Sequence, residues 1–336
     1  MRQISVLVVG AGAAGLCAAR HLSANEIFSF EVFERYESIG GMWVYSEDLN
    51  KDEFKLPVHS SIYKSMRHFT EQCIPEIPGI ETFRGTVLHS HDYRTPETFD
   101  GKRVVIWGAS TSAFDIAKDL WKVAKSVVIC HRVRKLPRGF PKEVRFAANI
   151  KAAFENGFEL VDGSTCEADS FFYCTGYHFN FPFLTKECKI EVNDNHVTPL
   201  YKHLVNIEYP SMCLVGIPLF TIPFILYDYQ VAYYLRTLDK SIDLPSKEEM
   251  QRDADKEFQW RCTHNIPARY AHLMNFMLWE YFDQLADLAG LERLRPVVKK
   301  ILEDSIAASK RENFDYKRYK YEILDDEHFR KTGLQV

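Results

Sequence analysis

Residues 4–15, ISVLVVGAGAAG, decide the fold. The run Ile4–Val9 is rich in β-branched residues, which is typical of a strand buried on both faces of a parallel sheet. Three spaced glycines follow it, and the small residues of 13–23 favour a helix. With a second strand at 28–34, this segment predicts a β-α-β unit that opens with a dinucleotide-binding turn.

Each glycine of this first turn has its own physical role. Gly10 permits the tight turn, Gly12 lets the backbone approach a pyrophosphate, and Gly15 allows the helix to pack closely on the strand. The start of the helix adds N–H groups and partial positive charge. Glu34 lies 19 residues after Gly15, where a carboxylate can accept hydrogen bonds from a ribose 2′-hydroxyl. The turn therefore predicts a dinucleotide without a 2′-phosphate, such as FAD; a glycine-rich turn without ligand is the alternative.

A second β-α-β unit is predicted from strands at 103–107 and 127–130 and a helix at 112–125. Its turn runs Gly108-Ala109-Ser110-Thr111-Ser112-Ala113. Alanine is tolerated in the third glycine position, but the Cβ of Ser110 stands where the second glycine would leave room for a pyrophosphate.

Arg132 lies 19 residues after Ala113, the place that Glu34 takes in the first unit. An arginine there suits a 2′-phosphate, with which it can form two charge-assisted hydrogen bonds. The matched spacing and opposite charge predict two ligands, FAD in the first unit and NADP in the second. A solvated loop charge is the alternative for Arg132.

Composition limits the remaining classes. A chain of 336 residues is long enough for about two domains. It has 42 Lys+Arg against 46 Asp+Glu, a net charge of −4, which argues against a nucleic-acid partner. The eight cysteines include no C-x-x-C pair, so zinc ribbons, dithiol enzymes and disulfide reductases are not expected, and no metal site is predicted. We expect a reduced, cytoplasmic protein.

Two apolar segments could be mistaken for membrane or targeting segments. Residues 1–19 contain the glycine turn and predict a strand and helix rather than a signal peptide. Residues 212–227, MCLVGIPLFTIPFILY, are too short to span a bilayer and contain two prolines. They predict a strand at 212–215 followed by an irregular apolar loop, and no transmembrane segment.

The rest of the chain predicts further α/β structure. Strands are expected at 86–89 and 171–174, and helical spacing occurs at 267–288 and 295–311. The interval 35–101 offers one good strand and no convincing helix. Because parallel strands need crossover connections, the first nucleotide domain is predicted to be short of both strands and a crossover.

Four segments resemble flavin-containing monooxygenases. Residues 83–93, FRGTVLHSHDY, match F-x-G-x-x-x-H-x-x-x-Y, a signature of that family that stands shortly before the second turn. Residues 173–177, YCTGY, resemble the family's F-A-T-G-Y strand, and 34–43, ERYESIGGMW, resemble the segment after its ribose-binding Glu. The ending YKRYKYEILDDEHF resembles invertebrate, senecionine N-oxygenase-like members.

The resemblance implies an α/β fold of two nested Rossmann-like dinucleotide-binding domains. The FAD domain would comprise 1–98 and 205–336, and the inserted NADP domain 99–204. The family oxygenates soft nucleophilic N or S atoms of small molecules, xenobiotics and alkaloids among them, with NADPH and O2 through a C4a-hydroperoxyflavin. The sequence leaves the substrate and the oligomeric state open, a homodimer included.

The resemblance also implies roles for single residues. Gly41 and Trp43 would join the first turn in holding FAD, and so would Gln230, which follows the apolar loop where the family carries an acidic residue and a Gln. In the second turn Gly108, Ser110, Ser112 and Ala113, with Arg132 after it, would hold NADP. A scaffold role is expected for His89 and Tyr93 of the signature rather than a catalytic one.

One departure from the family is prominent. Tyr63-Lys64-Ser65-Met66-Arg67 matches Y-x-S-M-x-T-N-x-P-K-E, and then His68-Phe69-Thr70 resembles a segment that the family carries far downstream. The resemblance therefore implies that several tens of residues are absent at 67/68, including the active-site Asn, so no catalytic residue is assigned. A skipped exon, an error in gene prediction and a genuine minimal variant all remain open.

Three functions follow from these observations. The first is an FAD- and NADPH-dependent monooxygenase impaired by the missing segment. The second is an inactive, shortened isoform that binds nucleotide or a partner. The third is a Baeyer–Villiger monooxygenase, whose signature ends in Trp and Pro or Asp where this chain has Tyr93 and Arg94.

Overall fold

The computed structural model describes residues 3–44, 71–132, 140–312 and 318–333. The α-helices in these ranges are α1 (Ala13–Ser23), α2 (Thr111–Leu120), α3 (Pro223–Leu238), α4 (Lys247–Thr263), α5 (Leu278–Ala289) and α6 (Pro296–Glu312). The strands are β1 (Ile4–Val9), β2 (Phe28–Phe33), β3 (Glu71–Gln72), β4 (Thr86–His89), β5 (Arg103–Trp107), β6 (Ser126–Cys130), β7 (Val144–Ala147), β8 (Ile150–Phe154), β9 (Gly157–Leu160), β10 (Thr165–Glu167), β11 (Ser170–Tyr173), β12 (Tyr177–His178), β13 (Glu191–Asn193), β14 (His196–Thr198), β15 (Leu200–Tyr201), β16 (Val205–Asn206), β17 (Lys320–Ile323) and β18 (Phe329–Thr332).

The described residues divide into two compact units. Unit 1 comprises 3–44, 71 and 178–294, and unit 2 comprises 72–132, 140–177, 295–312 and 318–333. Unit 1 contains the first glycine turn and unit 2 the second. The α/β class with Rossmann-like units is confirmed. The predicted domain boundaries, 1–98 with 205–336 and 99–204, differ from the edges of these units and stay a prediction.

Unit 2 is built on a five-stranded parallel sheet of order β4-β11-β5-β6-β7. Alternate residues of its central strands point to two separate cores. On one face Ile106 and Phe172 pack with α2, and both are 0% exposed. On the other face Val105 and Phe171 pack with residues of the antiparallel sheet β8–β10. Burial on both faces is what a run of β-branched residues predicts.

Unit 1 contains a parallel pair, β1 and β2, in register from Ile4↔Phe28 to Val9↔Phe33. One face is covered by α1 and α3, where Val8 packs against Leu22 and Val231. No helix or strand of the described ranges covers the other face, where Leu7 is 63% exposed and Phe33 56%.

The prediction that Ile4–Val9 is buried on both faces is therefore wrong. The side chains of β1 alternate between partly or fully buried and exposed, as on a sheet with a single covering layer. The β5 strand, of similar composition, has layers on both sides. The prediction that the first domain is short of sheet and crossover agrees with this open face in the described part of unit 1.

The apolar segment 212–227 differs from its prediction. Residues 212–215 form no strand; the region contributes a single bridge, Val205↔Cys213. The expected loop is instead the start of α3, which begins at Pro223 and buries eight of its residues. A helix that is apolar on most sides shows no helical period, so the pattern was hidden. Proline in the first turn is a start signal that could have revealed it.

Helix α4 was not predicted at all, because its surface is mostly charged. Its start carries a capping box: Ser246 accepts a hydrogen bond from Glu249 N, and the Glu249 carboxylate accepts one from Ser246 N. Segment 267–288, predicted as helical, contains two 3₁₀ turns before α5 begins at Leu278. Helix α2 ends at Leu120, five residues before its predicted end.

A search of the described residues finds no helix with the length and hydropathy to cross a membrane.

Candidate nucleotide-binding sites

The first turn has the geometry of a phosphate-binding turn. Gly10 has φ +95°, which favours glycine, and its N–H donates to Phe33 O at 2.6 Å. Gly12 is the N-cap of α1, so no side chain caps the helix start. A Cβ on Gly15 would lie 1.8 Å from Gly10 O, so only glycine lets α1 pack this closely on the turn. A helix N-terminus uncovered by side chains suits a pyrophosphate.

Glu34 directs its carboxylate toward this turn. Its Oε2 accepts a hydrogen bond from Ala11 N at 2.6 Å. Its Oε1 accepts from Arg35 N at 2.8 Å and Tyr36 N at 3.2 Å. The carboxylate is thus held at the carboxyl end of β2 beside the glycine turn, where the motif places its ribose-binding group.

Gly41 and Trp43 lie in a 3₁₀ turn that is joined to the glycine turn. Gly40 N donates to Ala11 O at 2.9 Å, and a Cβ on Gly41 would lie 2.9 Å from Gly12 Cα. The Trp43 side chain is 50% exposed, and its ring centroid lies 6.0 Å from that of Phe224. Five of the predicted FAD residues therefore lie close together in space, with Trp43 at the edge of the group: Gly10, Gly12, Gly15, Glu34 and Gly41. The residues present fit a dinucleotide.

Gln230 is placed differently from the other predicted FAD residues. It is fully buried in α3, where its side-chain oxygen accepts from Gly216 N at 2.8 Å and its amide nitrogen donates to Tyr281 OH at 2.7 Å. Tyr281 OH in turn donates to Lys202 O at 2.8 Å. This geometry favours a role in fixing the Gly216 turn over direct contact with a cofactor, and the FAD assignment of Gln230 stays a prediction.

The second turn repeats the geometry of the first. Gly108 has φ +126°, its N–H donates to Cys130 O at 2.9 Å, and a Cβ there would lie 2.3 Å from Cys174 O. Ser110 is the extended N-cap of α2, and its exposed hydroxyl does not cap the helix. Ala113 is fully buried in the position that needs a small residue, and Ser112 lies in the first turn of α2.

Arg132 is exposed two residues after β6 ends. Its neighbour His131 is tied to β7 by the hydrogen bond from its N–H to Ala147 O and by ring contact with Phe146. Arg132 therefore lies at the carboxyl end of β6, the end of a parallel sheet at which this fold binds the ribose of a nucleotide. Its role as the 2′-phosphate ligand stays a prediction.

The signature residues 83–93 serve the fold of unit 2. Phe83 packs on Phe158 with ring centroids 5.0 Å apart. A Cβ on Gly85 would lie 2.3 Å from the Phe83 ring and 2.7 Å from Asp169 O, so the motif needs glycine there.

His89 and Tyr93 are buried and hydrogen-bonded. His89 Nδ1 accepts from His91 N at 3.1 Å, which leaves Nε2 to donate to Gly176 O at 3.1 Å. Burial lowers the pKa of His89 to about 4, so this neutral tautomer is held at neutral pH. Tyr93 OH donates to Asp119 Oδ2 at 3.3 Å, and burial raises its pKa. These contacts favour the scaffold role predicted for both residues.

The predicted 67/68 junction lies outside the described residues. Comparison with known proteins bears on it instead. The flavin-containing monooxygenase FMO GS-OX4 of Arabidopsis thaliana is 29% identical over 389 aligned positions, which cover 85% of this chain and 84% of the relative. Since 85% of 336 residues is about 286 residues, about 100 aligned positions fall opposite gaps in this chain. An internal deletion relative to the family agrees with that difference.

Solved structures resemble the fold over almost the whole chain. The S-allyl-L-cysteine S-oxygenase from Allium sativum has a TM-score of 0.84 at 28% identity and covers 94% of this chain and 96% of its own. Tmm from Pelagibacter sp. strain HTCC7211 has a TM-score of 0.79 at 21% identity over 95% of this chain and 93% of its own. Cyclohexanone monooxygenase from Rhodococcus sp. Phi1 shares only the fold, at 12% identity and a TM-score of 0.53, over 86% of this chain and 98% of its own.

Two family models match the sequence. The model for NAD(P)-binding Rossmann-like domains matches residues 8–72, which include the first glycine turn. The model for flavin-binding monooxygenase-like proteins matches residues 50–135 and 135–310, more than half of the chain. These matches confirm the predicted cofactors, FAD and NADPH. The chain belongs to the flavin-binding monooxygenase-like family.

Proposed function

We propose that this chain binds FAD and NADPH and oxygenates soft nucleophilic N or S atoms of small molecules, with an efficiency reduced by its missing segment. The observation that carries the proposal is the pair of glycine turns, one followed by Glu34 and the other by Arg132 at the same spacing. The relative from Allium sativum is named an S-oxygenase, which supports a sulfur nucleophile as one acceptor.

The residues of unit 1 would bind and orient FAD. The N-terminus of α1 receives the pyrophosphate and Glu34 accepts from the ribose hydroxyls, since both lie at the same turn. Gly41 keeps the following segment within contact of Gly12. When bound, FAD supplies the electron transfer and oxygen chemistry that no side chain here can perform.

The residues of unit 2 would bind NADPH in the same manner. Gly108 and the N-terminus of α2 receive the pyrophosphate, and Arg132 pairs with the 2′-phosphate. The Cβ of Ser110 stands at the turn in place of the second glycine, so we expect weaker nucleotide binding than a glycine there would give. The chain thus contributes the binding and orientation of both nucleotides.

A second function is favoured by one observation. The open face of β1 and β2, with Leu7 63% exposed, leaves the FAD-binding unit without a second covering layer in its described part. A chain of this kind fits an inactive isoform that binds nucleotide without turnover. Ketone oxygenation has less support, because the likeness to cyclohexanone monooxygenase is one of fold alone.

An absorbance spectrum of the purified full chain, with and without NADPH under anaerobic conditions, separates the two proposals. A flavin spectrum at near-stoichiometric occupancy that is bleached by NADPH supports the monooxygenase. A colourless protein that takes up no added FAD, yet binds NADPH by calorimetry, supports the inactive isoform. A variant with Glu34→Ala is the matched control, because it should lose flavin while keeping NADPH binding.

A further inference from the structure

Three potential metal ligands meet where α1 packs on α3 in unit 1. Cys17 and His21 are four residues apart on α1, so their side chains share one face of the helix. Asp228 faces them from α3, 211 residues after Cys17. The ligating atoms of the three, a thiol sulfur, an imidazole nitrogen and a carboxylate oxygen, all lie within 4.8 Å of one another.

The distances fit a tetrahedral ion with one ligand position left open. Ligand bonds of ~2.0–2.3 Å around zinc separate neighbouring donor atoms by roughly 3.3–3.7 Å. Cys17 Sγ lies 3.9 Å from Asp228 Oδ1, close to that range. His21 Nε2 lies 2.6 Å from the same oxygen, so this pair has to open by less than about 1 Å, which side-chain rotation can supply.

A cation already occupies the cluster in this structure. The Arg20 guanidinium contacts two of the three proposed ligands, Asp228 and His21. Its Nη2 forms an ion pair with Asp228 Oδ1 and lies 3.1 Å from His21 Nε2. The Arg20 side chain is 68% exposed, so it can rotate into water and leave the cluster. Exposed ion pairs of this type are weak, and the arginine is a competitor that a metal ion can displace.

We propose that Cys17, His21 and Asp228 form a binding site for a divalent transition-metal ion of the zinc type, with Arg20 as the resident cation in its absence. One thiolate, one imidazole and one carboxylate form a donor set of zinc and of cobalt in its place. Calcium and magnesium, which take oxygen ligands, are not expected to bind. Only the C-x-x-x-H spacing on α1 could have indicated this site from the sequence, because Asp228 is so distant along the chain.

A bound ion would hold α1 against α3. Among the described residues, these two helices cover one face of β1 and β2, and Cys17 itself packs against that core. Because a ligand that binds only the folded state stabilises it, the ion should raise the thermal stability of unit 1. Such stabilisation would require neither bound nucleotide nor turnover.

The test is a cobalt titration of the metal-free full chain. Cobalt–thiolate charge-transfer bands in the near ultraviolet and ligand-field bands of four-coordinate cobalt should grow to one equivalent and disappear when zinc is added. Cys17→Ser should remove the charge-transfer bands. His21→Gln and Asp228→Asn should each weaken binding by ~100-fold or more, since even partners behind the ligands contribute 10–100-fold.

Two further variants keep the result interpretable. Arg20→Gln should tighten cobalt binding by about two- to fivefold, because it removes the competing ion pair; a merely destabilising change could not do this. Cys262→Ser removes an exposed cysteine elsewhere and should leave the bands unchanged. The proposal is overturned if the wild-type chain shows no cobalt–thiolate band, if Cys17→Ser retains it, or if Arg20→Gln leaves the affinity unchanged.

Discussion

The open face of the β1–β2 pair has a measurable consequence for stability. Leu7 on β1 and Ile106 on β5 occupy the first strand of their respective β-α-β units, yet Leu7 is 63% exposed and Ile106 is 0% exposed. We therefore expect the same truncation, to alanine, to have very different effects on the free energy of unfolding at the two positions.

The size of each effect follows from the exposures. Leucine to alanine removes about three carbons, worth roughly 2.4 kcal/mol when fully buried at ~0.8 kcal/mol per carbon. With Leu7 63% exposed, about a third of that burial remains, so Leu7→Ala should cost less than about 1 kcal/mol. Ile106 lies in a sheet that is covered on both faces, so Ile106→Ala leaves a cavity in a packed core. It should lower the free energy of unfolding by about 2–5 kcal/mol.

Urea unfolding followed by circular dichroism measures both values. The wild-type chain and the two variants are compared at equal concentration. For each variant, the loss in the free energy of unfolding is calculated from the unfolding transition whose midpoint the substitution changes. If Leu7→Ala costs 2 kcal/mol or more, Leu7 must be covered in solution, and the exposure seen in the described part of unit 1 would be refuted.

Three further predictions concern the two turns and the signature. Gly12→Val places a branched side chain at the N-cap of α1, where a pyrophosphate must approach, and should abolish flavin retention; full occupancy in the purified variant would remove this turn from the FAD site. Arg132→Ala should weaken NADPH binding by ~10- to 100-fold, from the loss of a charge-assisted contact of ~1.5–3 kcal/mol, with NADH changed little; calorimetry that finds equal losses would show that Arg132 does not read the phosphate. Burial lowers the pKa of His89 to about 4 in the folded chain, against about 6.5 in the unfolded chain. Between these two pH values His89 is protonated in the unfolded chain and neutral in the folded chain. The free energy of unfolding should therefore fall as the pH is lowered from about 6.5 to 4. His89→Gln should flatten that part of the stability–pH curve, and an unchanged slope would mean that His89 titrates normally.

The bounds of a helix or strand could be predicted from the sequence where local preference and tertiary packing favour the same structure. Strand β1 and helix α1 have the bounds read from the sequence, and so does β5, because a β-branched run followed by a glycine turn admits one local structure. Gly10, Gly12, Gly15 and Glu34 of the first turn, and Gly108 and Ala113 of the second, lie where the motif requires, whereas Ser110 stands in place of its second glycine. Such sites are carried by short stretches of chain and need no long-range information.

The segments that were misread depend on distant neighbours. Whether Leu7 is buried depends on which strands and helices from other parts of the chain cover it, and residues 4–9 alone carry no information about them. Helix α3 was hidden because it is buried on most sides, and α4 because charge surrounds it. The partners of Gln230, which are Gly216 and Tyr281, come from two other parts of the chain, so its position could not be inferred from spacing.

The chain keeps the scaffold of a flavin-binding monooxygenase, while no helix or strand in the described part of its FAD-binding unit covers one face of β1 and β2. The most direct test measures three quantities in one reaction: NADPH consumed, hydrogen peroxide released, and N- or S-oxide formed from a tertiary amine and a thioether. An enclosed site is needed to keep water from diverting the reaction, so we predict peroxide in nearly equal amount to NADPH, with little or no oxide. Oxide formation that matches NADPH consumption, with little peroxide, would contradict the claim and show that the shortened chain is a competent oxygenase.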